Sequence, residues 1–205
     1  MKVVKKDVTN VKEIARALRE GKLICAPTDT LYGILGNALD KKAVEEVYRI
    51  KGRDPQKPLI VLFESVEQLT EHGVVIPERF KDKLKKLIPA PITFVLPLDS
   101  ESPFRALFCR DNLAVRIPDD NFLRALIKET FPLFAPSANP QGEKPATNCK
   151  ECYRYFRDKL AYCVEGKPGN VPSTIVSLLG NTPELIREGA IKFSKVMEVL
   201  VGEEA

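Results

Sequence analysis

The stretch Leu23-Ile24-Cys25-Ala26-Pro27-Thr28-Asp29-Thr30-Leu31-Tyr32-Gly33 decides the fold class. Its first four residues are apolar and too few for a helix, and the following proline blocks helical continuation. They read as a short buried strand that opens into a polar turn. Leu133-Phe134-Ala135 followed by Pro136-Ser137-Ala138-Asn139-Pro140 repeats the arrangement. Open α/β sheets collect ligands at the carboxyl ends of their strands, so both turns are candidate site loops.

Working outward, Asp7 or Thr9 caps a helix with Val11, Ile14, Ala15 and Leu18 at helical spacing, closed by Gly21. Asp40 caps a second, with Ala43, Val44, Val47 and Tyr48 on one face. It must end near Lys51, because Gly52 weakens it and Pro55 disfavours helical backbone at Asp54. Residues 58–63 form a continuous apolar run, as in a strand buried on both faces. Helical spacing returns at Phe80, Leu84, Leu87 and Ile88, and residues 92–96 and 113–117 read as strands. Asp119 or Asp120 caps a helix bearing Leu123, Leu126 and Ile127. Later strands fall near residues 161–164, 174–178 and 184–186, and residues 193–201 make a closing helix. Two strands sometimes follow in succession, so a mixed twisted sheet fits better than a strictly doubly wound one. No repeat, low-complexity tract or long linker divides the chain, and residues 1–205 read as one α/β (α+β) domain.

With 44% hydrophobic and 29% charged residues, the chain is neither disordered nor collagen-like. Its longest apolar stretches, residues 58–63 and 92–98, fall far short of the roughly 20 residues of a membrane span. The basic start Met1-Lys2-Val3-Val4-Lys5-Lys6 has no apolar run behind it, so no signal peptide is expected. Five cysteines are an odd and modest number. A disulfide framework is therefore not expected, and a reducing cytoplasm is the simpler setting. The net charge of +4 is mild and permits an anionic ligand.

The chain has one histidine, His72, at an apparent helix end with no Ser or Cys triad around it. Cys149-Lys150-Glu151-Cys152 has the spacing of a zinc knuckle or redox pair, but no second such pair completes a zinc site. The metal ligands therefore stay unknown, with Asp29 one of many acidic candidates. Neither the P-loop nor the dinucleotide glycine fingerprint occurs, so a nucleotide must be gripped by side chains. Lys51 and Arg53, with Lys57 beyond, cluster where a helix stops. In an extended segment residues two apart point the same way, so Lys51 and Arg53 would converge on one anion. Ser137 and Asn139 share that spacing and suit phosphate or ribose oxygens. Thr28 and Thr30 follow a strand end. Arg116 lies inside the apolar run 113–118, where it must face solvent or reach an anion such as a carboxylate. Ser173 and Thr174 open one strand and Arg187 ends another. Polar residues at four strand ends imply one shared cavity.

Together these segments resemble the threonylcarbamoyl-AMP synthase family, the YrdC-type enzymes of transfer-RNA modification. The resemblance is carried by residues 26–33, Lys51-Gly52-Arg53 with residues 57–61, residues 114–118 and 135–139, and Pro172-Ser173-Thr174-Ile175-Val176 and Ile186-Arg187-Glu188-Gly189, in family order. It implies an α/β domain whose mixed sheet surrounds a large polar cavity. It implies that L-threonine, bicarbonate and ATP, usually with magnesium, give threonylcarbamoyl-AMP and pyrophosphate. A partner transferase then passes the threonylcarbamoyl group to tRNA. The chain resembles the short form, without the extra C-terminal domain of longer members.

Carried over by position, the resemblance makes Lys51 and Arg53 the catalytic basic pair. Arg53, Lys57, Asn112, Ser137, Asn139 and Arg187 would meet the nucleotide, and Thr28, Thr30, Arg116, Ser173 and Thr174 the threonine. Lys57 and Leu62 stand where longer members often carry asparagine and histidine, respectively. Two other readings remain open. One is a non-catalytic RNA-binding module, which the small charge and absent tryptophan disfavour. The other is a same-fold relative with a different carbamoyl or nucleotide reaction.

Overall fold

The computed structural model describes residues 1–202. Its strands are β1 (Lys2–Lys5), β2 (Ile24–Pro27), β3 (Tyr32–Asn37), β4 (Ile60–Leu62), β5 (Ile92–Pro97), β6 (Asn112–Arg116), β7 (Leu133–Phe134), β8 (Tyr162–Glu165), β9 (Thr174–Ser177) and β10 (Glu184–Arg187). They form a ten-stranded sheet ordered β1-β8-β2-β3-β7-β4-β6-β5-β9-β10. The sheet is mixed: β1 and β2 both run parallel to β8, β3 and β7 are antiparallel to their neighbours, and β4 with β6 and β5 with β9 are parallel again.

The helices are α1 (Val11–Arg19), α2 (Lys41–Lys51), α3 (Val66–Glu71), α4 (Lys81–Leu84), α5 (Pro103–Phe108), α6 (Asn121–Glu129), α7 (Cys149–Phe156) and α8 (Phe193–Leu200). The caps read from the sequence do their work. Asp40 accepts the N–H of Lys42 at the start of α2, and Asp120 accepts that of Leu123 at the start of α6. Asp7 caps a short 3-10 turn that leads into α1.

Alternation along the strands splits the core into two layers. Ile14, Leu18, Leu123 and Leu126 of α1 and α6 pack with Ile24, Leu62 and Leu133. Val44, Val47, Phe156 and Val196 of α2, α7 and α8 pack with Cys25, Val61 and Phe134. The run at residues 58–63 divides accordingly, with Leu59, Val61 and Phe63 in the second layer and Leu62 in the first.

Several expectations are corrected. The polar turn after β2 is only four residues long, and Tyr32 already begins β3, a strand that the glycines at 33 and 36 conceal. Gly36 is required there because a Cβ would lie 2.2 Å from the ring of Phe134 on the paired strand. The helix expected from Phe80 to Ile88 shrinks to the 3-10 turn Glu78–Phe80 and four residues of α4. Pro89 disfavours helical backbone at Ile88, and Lys86 and Leu87 close i→i+3 turns instead. Four of the five cysteines are bridged, Cys25 to Cys152 and Cys149 to Cys163, where no disulfides were expected. The bridges join residues up to 127 apart, a proximity that linear spacing does not reveal. Only Cys109 is free. His72 is partly buried at the end of α3, its Nδ1 2.8 Å from the Gln68 carbonyl. Among the described residues, no helix is long and apolar enough to cross a membrane.

Candidate active site

Four strand ends meet around a cavity of about 140 Å³, open at its mouth. Thr28 and Thr30 come from the turn after β2, Arg53 from the loop after α2, Arg116 from the end of β6, Ser137 from the loop after β7, Ser173 from before β9, and Arg187 from the end of β10. Leu31, Pro58, Ile60, Ala135, Pro136 and Pro172 complete much of the wall. The structure thus brings together seven of the residues singled out from sequence.

The walls are held in register by the backbone. Ile34 donates to the Pro136 carbonyl and Ala138 to that of Tyr32, each at 2.8 Å, so the loop after β7 continues the antiparallel pairing of β7 with β3. Thr28 Oγ1 donates to the Leu31 carbonyl at 2.6 Å and accepts the Thr30 N–H, which fixes the first turn. Gly169 donates to the Thr28 carbonyl at 3.0 Å, and a side chain there would sit 2.3 Å from the carbonyl oxygen of Asp29.

Gly189 plays the same part on the opposite wall, where a Cβ would lie 2.2 Å from the Pro172 carbonyl oxygen. Gly189→Ala should therefore displace the Pro172-Ser173 segment and destabilise the fold by about 1–3 kcal/mol, as overpacking usually does. Chemical denaturation of the variant against wild type measures it, and an unchanged midpoint would show that this wall yields freely.

Arg116 is the most buried of the three arginines in the lining. It is 4% exposed, and its nearest carboxylate oxygen is Asp29 Oδ1 at 3.6 Å, beyond hydrogen-bond reach. Its Nε and Asp29 Oδ1 are both buried without a hydrogen-bond partner. Burial lowers the Arg116 pKa, with Asp29 opposing that shift and Arg187 adding to it. A buried guanidinium so poorly paired is a binding site for a carboxylate or phosphate. Arg53 donates to the Pro58 carbonyl at 2.8 Å, and its buried Nε likewise has no partner. Arg187 grips the Ser173 carbonyl through Nε and Nη2, at 3.2 and 2.8 Å. Ser173 Oγ is 2.8 Å from Thr93 Oγ1. Sequence reading missed Thr93, although a hydroxyl inside the apolar stretch Ile92-Thr93-Phe94-Val95 was the available signal.

Five singled-out residues lie outside this lining. The extended geometry expected for Lys51 and Arg53 is not what forms. Lys51 is the last residue of α2 and Gly52 takes the left-handed conformation at φ 58°, so the segment from Lys51 to Arg53 is not extended. Lys51 Nζ instead donates to the carbonyls of Ser137 and of Asn139, the latter at 2.6 Å. It is 3% exposed, and burial followed by repulsion from Arg53 lowers its pKa to about 7. Asn139 turns inward to the Pro140 and Glu143 carbonyls. Thr174 Oγ1 donates to the Ile191 carbonyl and accepts the N–H groups of Gly189 and Ile191. Lys57 is exposed. Asn112 lines a neighbouring, mostly apolar hollow with Phe108, Leu113 and Ile186, and Pro58 forms the wall common to both spaces.

The cavity lining contains three arginines and no carboxylate. Asp29, the nearest acid, faces Arg116 with one oxygen and accepts the Asp119 N–H with the other. Magnesium prefers carboxylates and water, so this donor set does not fit a magnesium ion held by the protein.

A family model described as telomere recombination, the Sua5/YciO/YrdC family, matches residues 16–189. A threonylcarbamoyl-AMP synthase of Bacillus subtilis is 34% identical over 94% of the chain. The crystal structure of P. abyssi Sua5 complexed with L-threonine superposes with a TM-score of 0.87 at 32% identity over 98% of the chain. E. coli YciO shares the fold, with a TM-score of 0.81 at 23% identity over 93% of this chain and 96% of its own. The chain spans 58% of the length of the Bacillus protein and 60% of the P. abyssi chain. On the family match and these similarities, the chain belongs to the Sua5/YciO/YrdC family.

Proposed function

We propose that the protein, as one domain over residues 1–205, is an L-threonylcarbamoyladenylate synthase, converting L-threonine, bicarbonate and ATP into threonylcarbamoyl-AMP and pyrophosphate. The observation that carries the reading is the buried, under-paired Arg116 in a cavity with two further arginines. One such cation suits an amino-acid carboxylate, and the others suit a polyphosphate. Family membership and the threonine in the P. abyssi Sua5 structure support the same assignment.

In this reading Arg116 takes the threonine carboxylate, with Thr30 and Ser173 offering hydroxyls to its polar groups and Thr28 shaping the turn. Arg53, Arg187 and Ser137 meet the phosphates. The adenine enters the hollow of Phe108, Leu113 and Ile186, near Asn112. Lys57 attracts phosphate from the rim. Lys51, Asn139 and Thr174 hold the loops.

The threonine amine and bicarbonate condense to a carbamate with loss of water. A carbamate oxygen then attacks the α-phosphorus of ATP, and pyrophosphate leaves. No protein nucleophile is needed; the chain positions the reactants and neutralises the charge on the phosphate oxygens. Any magnesium would enter on the nucleotide's own oxygens. The product is a reactive mixed anhydride, and the natural recipient is a transferase that modifies tRNA in the cytoplasm.

Threonine-dependent release of pyrophosphate, with detection of the adenylate by mass, tests the proposal. Omitting threonine should reduce release to background. ATP turnover that ignores threonine, or RNA binding that falls with salt and proceeds without turnover, would replace this reading with one of its rivals.

A further inference from the structure

Away from the cavity, four cysteines from three parts of the chain meet in the core. Cys25 of β2 and Cys163 of β8 are direct partners in a parallel strand pair, so their side chains leave the sheet on the same side. Neighbouring strands lie about 4.8 Å apart. Packed on that face is the first turn of α7, which presents Cys149 and Cys152 at i and i+3, the spacing that puts two side chains on one helix face. Cys25, Cys152 and Cys163 are wholly buried and Cys149 is 4% exposed. The sulfurs of Cys25, Cys152 and Cys163 lie within 4.8 Å of one another, and Cys149 is bonded to Cys163.

The second ligand pair that a closed zinc site needs is thus supplied by strand register, not by a second Cys-x-x-Cys motif. Four sulfurs with no histidine or carboxylate among them are a donor set for a soft, tetrahedral ion. The Cα atoms of Cys25 and Cys152 are 7.0 Å apart, at the outer limit for a direct sulfur bridge. An intervening ion relaxes that demand. The sulfurs also sit at the positive end of α7, which favours thiolates.

We propose that Cys25, Cys149, Cys152 and Cys163, when reduced, bind one zinc ion as a buried tetrathiolate. The bridged form reaches that state with two equivalents of a dithiol reductant, which supply four electrons and four protons and leave as cyclic disulfides. Zinc then displaces four protons from the four thiols. The ion clamps β2, which feeds the Thr28 turn, to α7, which follows the Ser137 loop. None of the four cysteines lines the cavity, and the ion takes no part in the chemistry.

The test uses the whole chain, purified without oxygen in the presence of a dithiol and then desalted. One zinc per chain is expected. Native alkylation should modify Cys109 alone, and a chelator should then expose the other four cysteines. Chelated protein titrated with cobalt should develop thiolate-to-cobalt charge-transfer absorption that saturates at one equivalent. Cys109→Ser should keep the metal. Cys163→Ser should weaken cobalt binding by more than about 100-fold, beyond the effect of outer-shell changes. If that variant fails to fold, the wild-type titration decides. Four free thiols that take up neither zinc nor cobalt would overturn the proposal. So would bridges that persist through dithiol treatment, or a cluster containing acid-labile sulfide.

Discussion

Arg116→Ala is expected to cut threonine-dependent pyrophosphate release at low threonine by about 10²–10⁴-fold, the equivalent of losing one partner of a buried, charge-assisted contact worth about 3–5 kcal/mol. The side chain is almost wholly enclosed and Asp29 is its nearest acid. Truncation therefore removes the cation offered to the substrate and strands the Asp29 carboxylate as well. Arg116→Lys should recover little, because an ammonium cannot supply the forked donors of a guanidinium. The loss should fall on KM for threonine and spare KM for ATP, whose phosphates the proposed function gives to Arg53, Arg187 and Ser137. Asp29→Asn in the Arg116→Ala background should restore part of the stability without restoring turnover. Equal damage to the ATP and threonine constants would mean that Arg116 serves the phosphates.

The second large effect concerns Lys51. Its Nζ donates to the Ser137 and Asn139 carbonyls, so Lys51→Met takes that bond from both, leaving the Ser137 carbonyl only the Asn139 N–H, and should destabilise the protein by about 2–4 kcal/mol. Ser137 lies in the cavity wall, so KM for ATP should rise as the loop loosens. The pH dependence identifies the cause. Burial lowers the Lys51 pKa to about 7, below the usual lysine value of 10.5. Between those two values the unfolded chain binds more protons than the folded one, so the Lys51 contribution to stability grows as pH rises. Below about 7 both forms are protonated, and the dependence flattens. A neutral amine still has an N–H for each carbonyl. The gap between wild type and Lys51→Met should therefore widen from about pH 6 to about pH 9 in chemical denaturation. A gap that narrows would mean the ammonium form is the one the fold prefers.

The site was legible where chemistry is local. Apolar strands opening into small polar residues marked the turns after β2 and β7, and a charge in the apolar run of β6 marked Arg116. Both features depend only on neighbouring residues. Lys51 defeated the reading because its direction depends on whether α2 ends one residue earlier or later. Gly52 carries the reversal, and an alternating pattern cannot register that. Strand β3 was hidden for a tertiary reason: Gly36 weakens a strand by itself but makes room for Phe134 across the sheet. Helices α3 and α5, six residues each, offered too few turns to establish a period. The cysteines were misjudged by counting alone, because the alignment of Cys25 with Cys163 exists only once β2 and β8 pair.

That pairing bears on how the chain acquires its shape. Strands β1 and β2 lie near the start of the polypeptide, yet both flank β8, whose residues are 162–165. During synthesis they emerge long before their companion, and contacts so distant in sequence form slowly. Until then one flank of β2 is an open hydrogen-bonding edge, able to recruit strands from other molecules. Arrival of β8 seals it, so pairing across this long separation is what ends the exposure of that edge.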